Sequence, residues 1–157
     1  MAWVTPKQRR KHTDVTKVNI QAEANELASQ FATGNLNVVA LHFKFPLVVY
    51  VGRRLMVLKD EDQFVCALSL YRSILSEEWL SNVTSSVLES RCASDSRCKV
   101  SVENRYFSTD GRDLGTARIN YYGEATAAGR KIRMVEYLEW PCQKQVAKCL
   151  GLQCMMA

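Results

Sequence analysis

His42-Phe-Lys-Phe-Pro46-Leu-Val-Val-Tyr50-Val-Gly52-Arg-Arg-Leu55-Met-Val-Leu58-Lys-Asp60-Glu-Asp-Gln-Phe64 is the stretch on which the reading of this chain turns. An apolar run from Phe45 to Val51 contains a proline near its start, breaks at Gly52-Arg53-Arg54 and resumes from Leu55 to Leu58, the pattern of a β-hairpin. Asp60 and Gln63 then have the spacing of a capping box, with Asp60 as N-cap and Gln63 reaching back. A hairpin feeding a helix is the expectation.

Upstream, Thr13 or Asp14 is the expected N-cap of a first helix in which Val18, Ala22, Leu27, Ala28 and Phe31 recur at helical spacing as far as Gly34. Asn35 can cap a short second helix from Leu36 to about Phe43. After the hairpin, a third helix runs from Glu61 to about Leu75. Its apolar stripe is Phe64, Ala67, Leu68, Tyr71 and Leu75, with Cys66 on the buried face and Arg72 away from it.

Four long strands bounded by turn signals complete the pattern: 82–92, 98–108, 114–126 and 131–140. Along them Val100, Val102 and Tyr106 oppose Ser101, Glu103 and Arg105, and Ala117, Ile119 and Tyr121 oppose Arg118, Asn120 and Tyr122. The expected organisation is a disordered basic tail over residues 1–12, one α+β domain over 13–141, and a short helix or tail over 142–157.

The formal net charge of +5 falls to +1 once Lys7, Arg9, Arg10 and Lys11 are set aside, so the body of the chain is nearly neutral. No basic stripe with interleaved aromatics follows them, and no nucleic-acid partner is expected. No apolar run approaches the length of a membrane span, and Met1-Ala-Trp-Val-Thr-Pro6 leads into charge instead of an apolar signal core. A cytoplasmic location without membrane partners is therefore expected, which leaves the Asn82-Val-Thr84 sequon as ordinary strand residues. The six cysteines show no C-x-x-C spacing, so neither a metal nor another cofactor is expected. Cys92 and Cys98 flank a turn and can approach each other; in a reducing compartment free thiols are the expected state.

Two helices, a hairpin opened by Phe45-Pro46, a third helix and a four-strand meander, together with the pattern Leu41 to Tyr50, Leu55 to Leu58 and Phe64, resemble the NTF2-like superfamily in its SnoaL-like and ketosteroid-isomerase-like branches. The resemblance implies an NTF2-like, cystatin-like cone: a strongly curved, mostly antiparallel sheet wrapped around a long helix, with three helices and an apolar pocket. The isomerase-like enzymes hold a catalytic aspartate immediately before the proline that opens the first strand; here that position is Phe45, whose ring has no proton to trade. An enzyme of that type is not expected.

What the resemblance implies instead is a homodimer, paired through the sheet face, whose cone binds a small apolar or aromatic ligand. Phe45, Tyr50, Phe64, Tyr71, Met134 and Glu136 are the expected ligand-binding residues. One alternative is a polyketide-cyclase-like lyase or isomerase using Glu136 or His42. Glu136 shares a strand face with Met134 and Leu138, where apolar surroundings would raise a carboxyl pKa, and His42 stands beside the hairpin. Tyr50, Tyr121 and Tyr122 are further candidate hydrogen-bond donors. The other alternative is a dimerisation or protein-interaction module using the sheet face that carries Arg105, Phe107, Arg118 and Tyr122.

Overall fold

A computed structural model of the chain describes residues 6–142 apart from 95, 127 and 128, and for 6–19, 125 and 129 it describes the backbone alone. The expected C-terminal helix or tail lies, beyond Cys142, outside the described residues. The elements are α1 (Pro6–Thr33), α2 (Leu36–Ala40), β1 (Phe43–Val51), β2 (Arg54–Leu58), α3 (Glu61–Ser76), β3 (Leu80–Ser94), β4 (Arg97–Ser108), β5 (Asp113–Thr126) and β6 (Gly129–Glu139). One six-stranded sheet has the order β2-β1-β6-β5-β4-β3. All its pairings are antiparallel except β1 on β6.

The hairpin forms as expected. Val51 pairs with Arg54 across a turn in which Gly52 has φ 60°, the conformation that favours glycine at the first central position. The cap forms with one adjustment: Asp60 accepts from the Gln63 backbone N–H at 2.9 Å, while the Gln63 side chain reaches one residue further, to the Lys59 N–H at 2.9 Å. Together they pin the start of α3 to the end of β2.

Several expectations are corrected. α1 begins at Pro6 and not at Thr13 or Asp14, so the basic residues expected in a disordered tail lie within a helix. Proline is suited to the first helical position, and the Lys, Gln and Arg residues behind it are good helix formers with no breaker before Gly34. Among the described side chains of α1 the buried stripe is Ile20, Ala24, Ala28 and Phe31, with Ala22 outside it; Val18, expected in the stripe, lies outside the described side chains. α2 stops at Ala40, so His42 belongs to the turn before β1, and Asn35 makes no side-chain cap. Cys66 is exposed. Cys92 and Cys98 form a disulfide: β3 and β4 pair in a register that puts the two residues directly opposite, with Cα atoms 4.0 Å apart, a relation that spacing alone cannot give.

The core lies between the helices and one face of the sheet. Phe64, Tyr71 and Leu75 of α3 and Phe31 of α1 meet Leu47 and Val49 of β1, Val102 and Tyr106 of β4, Ile119 of β5 and Val135 of β6. Gln21 fastens α1 to the edge strand β3, donating to the Ser85 carbonyl and accepting from the Val87 N–H, both at 2.9 Å. Gly115, at φ 123°, accommodates a close approach: a Cβ there would meet that of Pro141 at 2.8 Å.

Arg72, expected on the solvent side of α3, turns back to α1. Its Nε donates to the Phe31 carbonyl at 3.1 Å, which also accepts from the Gly34 N–H at 3.1 Å, and its Nη2 donates to the Ala32 carbonyl at 3.0 Å, setting a positive charge at the negative end of the helix. Arg72→Met keeps the stem and removes both bonds; urea unfolding is expected to show a loss of about 2 kcal/mol, the usual worth of hydrogen bonds from a charged donor.

Candidate ligand-binding cavity

The helices do not fill the cone. α1 and α3 leave a cavity of about 100 Å³ against the concave face of the sheet. Its apolar wall includes Ala24, Leu27 and Ala28 of α1, Leu47 and Val49 of β1, Phe64, Ala67 and Leu68 of α3, and Ile119 and Val135 of the central strands. No charged side chain and no histidine or cysteine is among the described residues that line it. The volume is of the order of the engineered apolar cavity, about 150 Å³, that admits benzene in another protein.

The polar content of the wall comes from phenols and three other side chains. Tyr71, Tyr106, Tyr121 and Tyr137 reach the cavity, along with Ser85, Asn104 and Trp140. Tyr71 donates to the Tyr106 hydroxyl at 3.1 Å, and Phe31 packs on both rings at 5.5 and 6.2 Å between centroids. Burial pushes the phenols of Tyr71, Tyr121 and Tyr137 upward. Burial raises Tyr106 to about 12, with hydrogen bonds to Tyr71 and Asn104 pulling the other way. At neutral pH these groups are protonated: they can hold a ligand's polar atom, but they do not act as bases. Two buried polar atoms in the wall have no protein partner, Asn104 Oδ1 and Trp140 Nε1.

The expected site residues divide between the two faces of the sheet. Phe64 and Tyr71 line the cavity. Phe45 does not line it; its ring stacks edge-on behind Phe64 at 5.6 Å. Tyr50, Met134 and Glu136 lie on the outer face, because Val49, Val135 and Tyr137 take the inward positions of β1 and β6 and the pairs Val48↔Met134 and Tyr50↔Glu136 alternate with them. Glu136 there accepts from Asn120 Nδ2 at 2.7 Å and from the Tyr122 hydroxyl at 3.4 Å, and Asn120 in turn accepts from Ser101 at 2.6 Å. Partial burial first, and then the Glu136 carboxylate, raises the Tyr122 phenol. Glu136 is thus the centre of a polar chain across β4, β5 and β6 outside the cone, not a carboxylate inside it.

His42 borders a second, smaller cavity of about 60 Å³, with Ile20, Leu27 and Tyr121, and does not line the large one. Of the candidate tyrosine donors, Tyr121 lines the large cavity, while Tyr50 and Tyr122 are on the outer face. Asn104, Tyr106, Tyr137 and Trp140 were not among the expected site residues. For Asn104 and Tyr106 the signal is their strand parity with Val102; for Tyr137 there is none, because both alternations of β6 carry charge, Glu136 on one and Arg133 on the other. Among the described residues, no three His, Cys, Asp or Glu side chains gather as they would around a metal ion, and no helix is long and apolar enough to cross a membrane.

In sequence, no family model and no curated protein matches this chain. Solved structures do. A domain of unknown function with a cystatin-like fold from Nostoc punctiforme superposes with a TM-score of 0.61 at 10% identity, covering 87% of this chain and 85% of that one. An NTF2-like protein of unknown function from Shewanella oneidensis gives 0.60 at 11% identity over 79% of this chain and 98% of its own. Aln2 from a Streptomyces species gives 0.59 at 10% identity over 94% of this chain and 99% of its own. At such identities the likeness speaks of the backbone and not of chemistry. With three helices laid on a six-stranded mixed sheet in the same arrangement as these proteins, the chain has the NTF2-like, cystatin-like cone fold.

Proposed function

We propose that this chain is a binding module whose cone takes a small, neutral, apolar or aromatic molecule. The observation that carries this reading is the cavity of about 100 Å³, walled by aliphatic and aromatic side chains and edged with protonated phenols. Such a wall favours burial of an apolar body and gives a few fixed donors to orient it. An ionic ligand would lose its hydration with no opposite charge to replace it. The lyase or isomerase reading is less well supported, since Glu136 lies outside the cone and His42 beside the smaller cavity.

A second reading, homodimerisation through the outer sheet face, is favoured by a separate observation. Leu55, Val57 and Leu138 are 57%, 52% and 52% exposed on that face, beside the half-buried Val48, Tyr50 and Met134. An apolar patch of this kind, flanked by the Glu136 chain and by the ion pairs of Arg118 with Glu103 and Glu139, has the mixed character of a self-complementary interface. A second copy of the chain is the proposed partner.

Toluene tests the first reading: added at about one hundred times its dissociation constant, it is expected to raise unfolding stability by about 2.7 kcal/mol. Ala67→Phe, which fills the cavity from α3, is expected to stay folded by circular dichroism and to lose that response; no response in the wild type would remove the reading. For the second, light scattering is expected to give twice the monomer mass for the wild type and the monomer mass for Leu138→Arg, and a monomeric wild type at working concentration would refute it.

The buried phenols also predict a pH dependence. Tyr106 ionises at about 12 in the folded protein against an ordinary 10.0, so the folded state keeps its proton where the unfolded chain gives it up. Stability is fully present below pH 10 and falls as pH rises toward 12, and Tyr71, Tyr121 and Tyr137 act in the same direction. Denaturant midpoints recorded across this range are expected to decline, with tyrosinate absorbance appearing together with loss of the near-ultraviolet signal.

A further inference from the structure

The nearly neutral body of the chain is not evenly charged. At the end of the sheet formed by the β3–β4 and β5–β6 turns, cations gather around Glu124: Arg97 and Lys131 stand opposite it on the two neighbouring strands, Lys44 Nζ donates to it at 2.6 Å, and Arg133 lies 3.8 Å away. The hydrogen bond from Lys44, backed by the charges of Lys44, Arg133 and Arg97, holds the Glu124 carboxyl below its ordinary range, against a partial loss of water. The stem of Arg130 lies beside Gly123 at the same end. Arg97, Arg130 and Lys131 form no ion pair among the described residues, so one carboxylate faces an excess of positive charge. The acids collect elsewhere. Glu61 and Asp62 open α3 beyond β2, at the opposite edge of the sheet, and Glu78 pairs with Arg112 beyond the other end of β4.

α1 brings further cations to the basic end. The helix packs along the edge strand β3, with Phe31 against Tyr106 and Gln21 bonded to Ser85 and Val87. From Gln21, about 20 Å of helix leads back to Pro6, and from Val87 about 20 Å of strand leads on to Ser94. Lys7, Arg9, Arg10 and Lys11 therefore come level with the β3–β4 turn that carries Arg97. Sequence places these four in a tail apart from a neutral body; the fold sets them beside the most basic part of that body.

We infer that this end of the molecule is a docking surface for double-helical nucleic acid, in which α1 and the cations around Glu124 contact phosphates of the backbone without reading bases. The surface is independent of the cone and its cavity, and it reverses the expectation of no nucleic-acid partner. A duplex presents one negative charge per about 1.7 Å of its axis, a density that cations spread over about 20 Å can engage together. A single strand is held by stacking on exposed rings, and here Phe43 and Tyr121 belong to the core while Lys99 covers Tyr122. A lipid surface takes a helix by an apolar face, but between Pro6 and Asn19 the apolar residues beyond the proline are Val15 and Val18.

Fluorescence anisotropy of a short labelled DNA duplex titrated with the full chain tests the inference. Binding is expected with a dissociation constant of about 10⁻⁵ M or below near physiological salt, and independent of base sequence. Raising salt from about 50 to about 200 mM is expected to weaken it at least about a hundred-fold, as counterion release from roughly four phosphates requires. Arg97→Glu with Arg133→Glu, both at exposed positions, and separately Arg9→Glu with Arg10→Glu are each expected to cost about ten-fold or more while circular dichroism stays that of the wild type. No binding to the duplex, or a weaker salt dependence, overturns the inference. So does either pair of substitutions leaving affinity unchanged, because the surface then is not shared by helix and sheet. Tighter binding to the single strand, or equal binding to phosphatidylserine vesicles or polyglutamate, overturns it in favour of another acidic partner. Should a charge-reversed variant not fold, Arg97→Gln with Arg133→Gln or Arg9→Gln with Arg10→Gln replaces it, with a smaller loss expected.

Discussion

The phenol of Tyr71 donating to that of Tyr106, with Phe31 packed on both rings, is the contact on which the rest of the molecule depends. It joins α3, β4 and α1 at one place, and the Tyr71 ring also stands edge-on to Tyr137 of β6 at 6.4 Å. Three elements far apart in the chain are thereby held at a fixed separation. Large rings prop the helices off the sheet, and the small side chains of Ala24, Ala28 and Ala67 cannot fill the gap that results. Arg72, one residue beyond Tyr71, secures the same junction by pairing the last carbonyls of α1. The cavity is a consequence of this bracing.

What such a cavity can do follows from what its wall contains. Phenols held above their ordinary ionisation range donate hydrogen bonds and keep their protons, which suits recognition of a polar atom on an apolar body. A proton shuttle between carbons needs a carboxylate or imidazole within reach of the substrate. The position before Pro46, where isomerase-like proteins would carry that carboxylate, holds Phe45, and its ring supports Phe64 behind the cavity wall. In this chain the hairpin that opens the cone contributes packing at that point.

The two faces of the sheet divide the remaining chemistry. Inward positions of β1, β5 and β6 carry Val49, Ile119, Tyr121, Val135 and Tyr137; outward positions carry Tyr50, Asn120, Tyr122, Met134 and Glu136. The polar chain from Ser101 through Asn120 to Glu136 buries Asn120 on the outside of the cone, so that face is partly desolvated even in one copy of the chain. Exposed Leu55, Val57 and Leu138 border it. The two proposed roles, ligand recognition and self-association, fall on opposite sides of the same strands, and substitutions at adjacent positions are expected to affect different properties.

Local pattern alone determined much of this protein. The Asp60 and Gln63 cap, a turn after Val51 that opens on Gly52, the α3 stripe from Phe64 to Leu75 and the alternation of the four meander strands are patterns within a few residues, and each was legible in the order of the amino acids. Pro6, a residue suited to the first helical position, stands where α1 begins, seven residues before the expected Thr13. Only the tertiary structure decided which face of each strand meets the helices. On β6 both alternations are apolar enough to be buried, so Met134 and Glu136 versus Val135 and Tyr137 is a choice made by the parallel register with β1. Register likewise joined Cys92 to Cys98, and the depth of the Phe31, Tyr71 and Tyr106 bracing decided that space remained beside Asn104. Those outcomes depend on distances between segments remote in sequence, which no periodicity within a segment encodes.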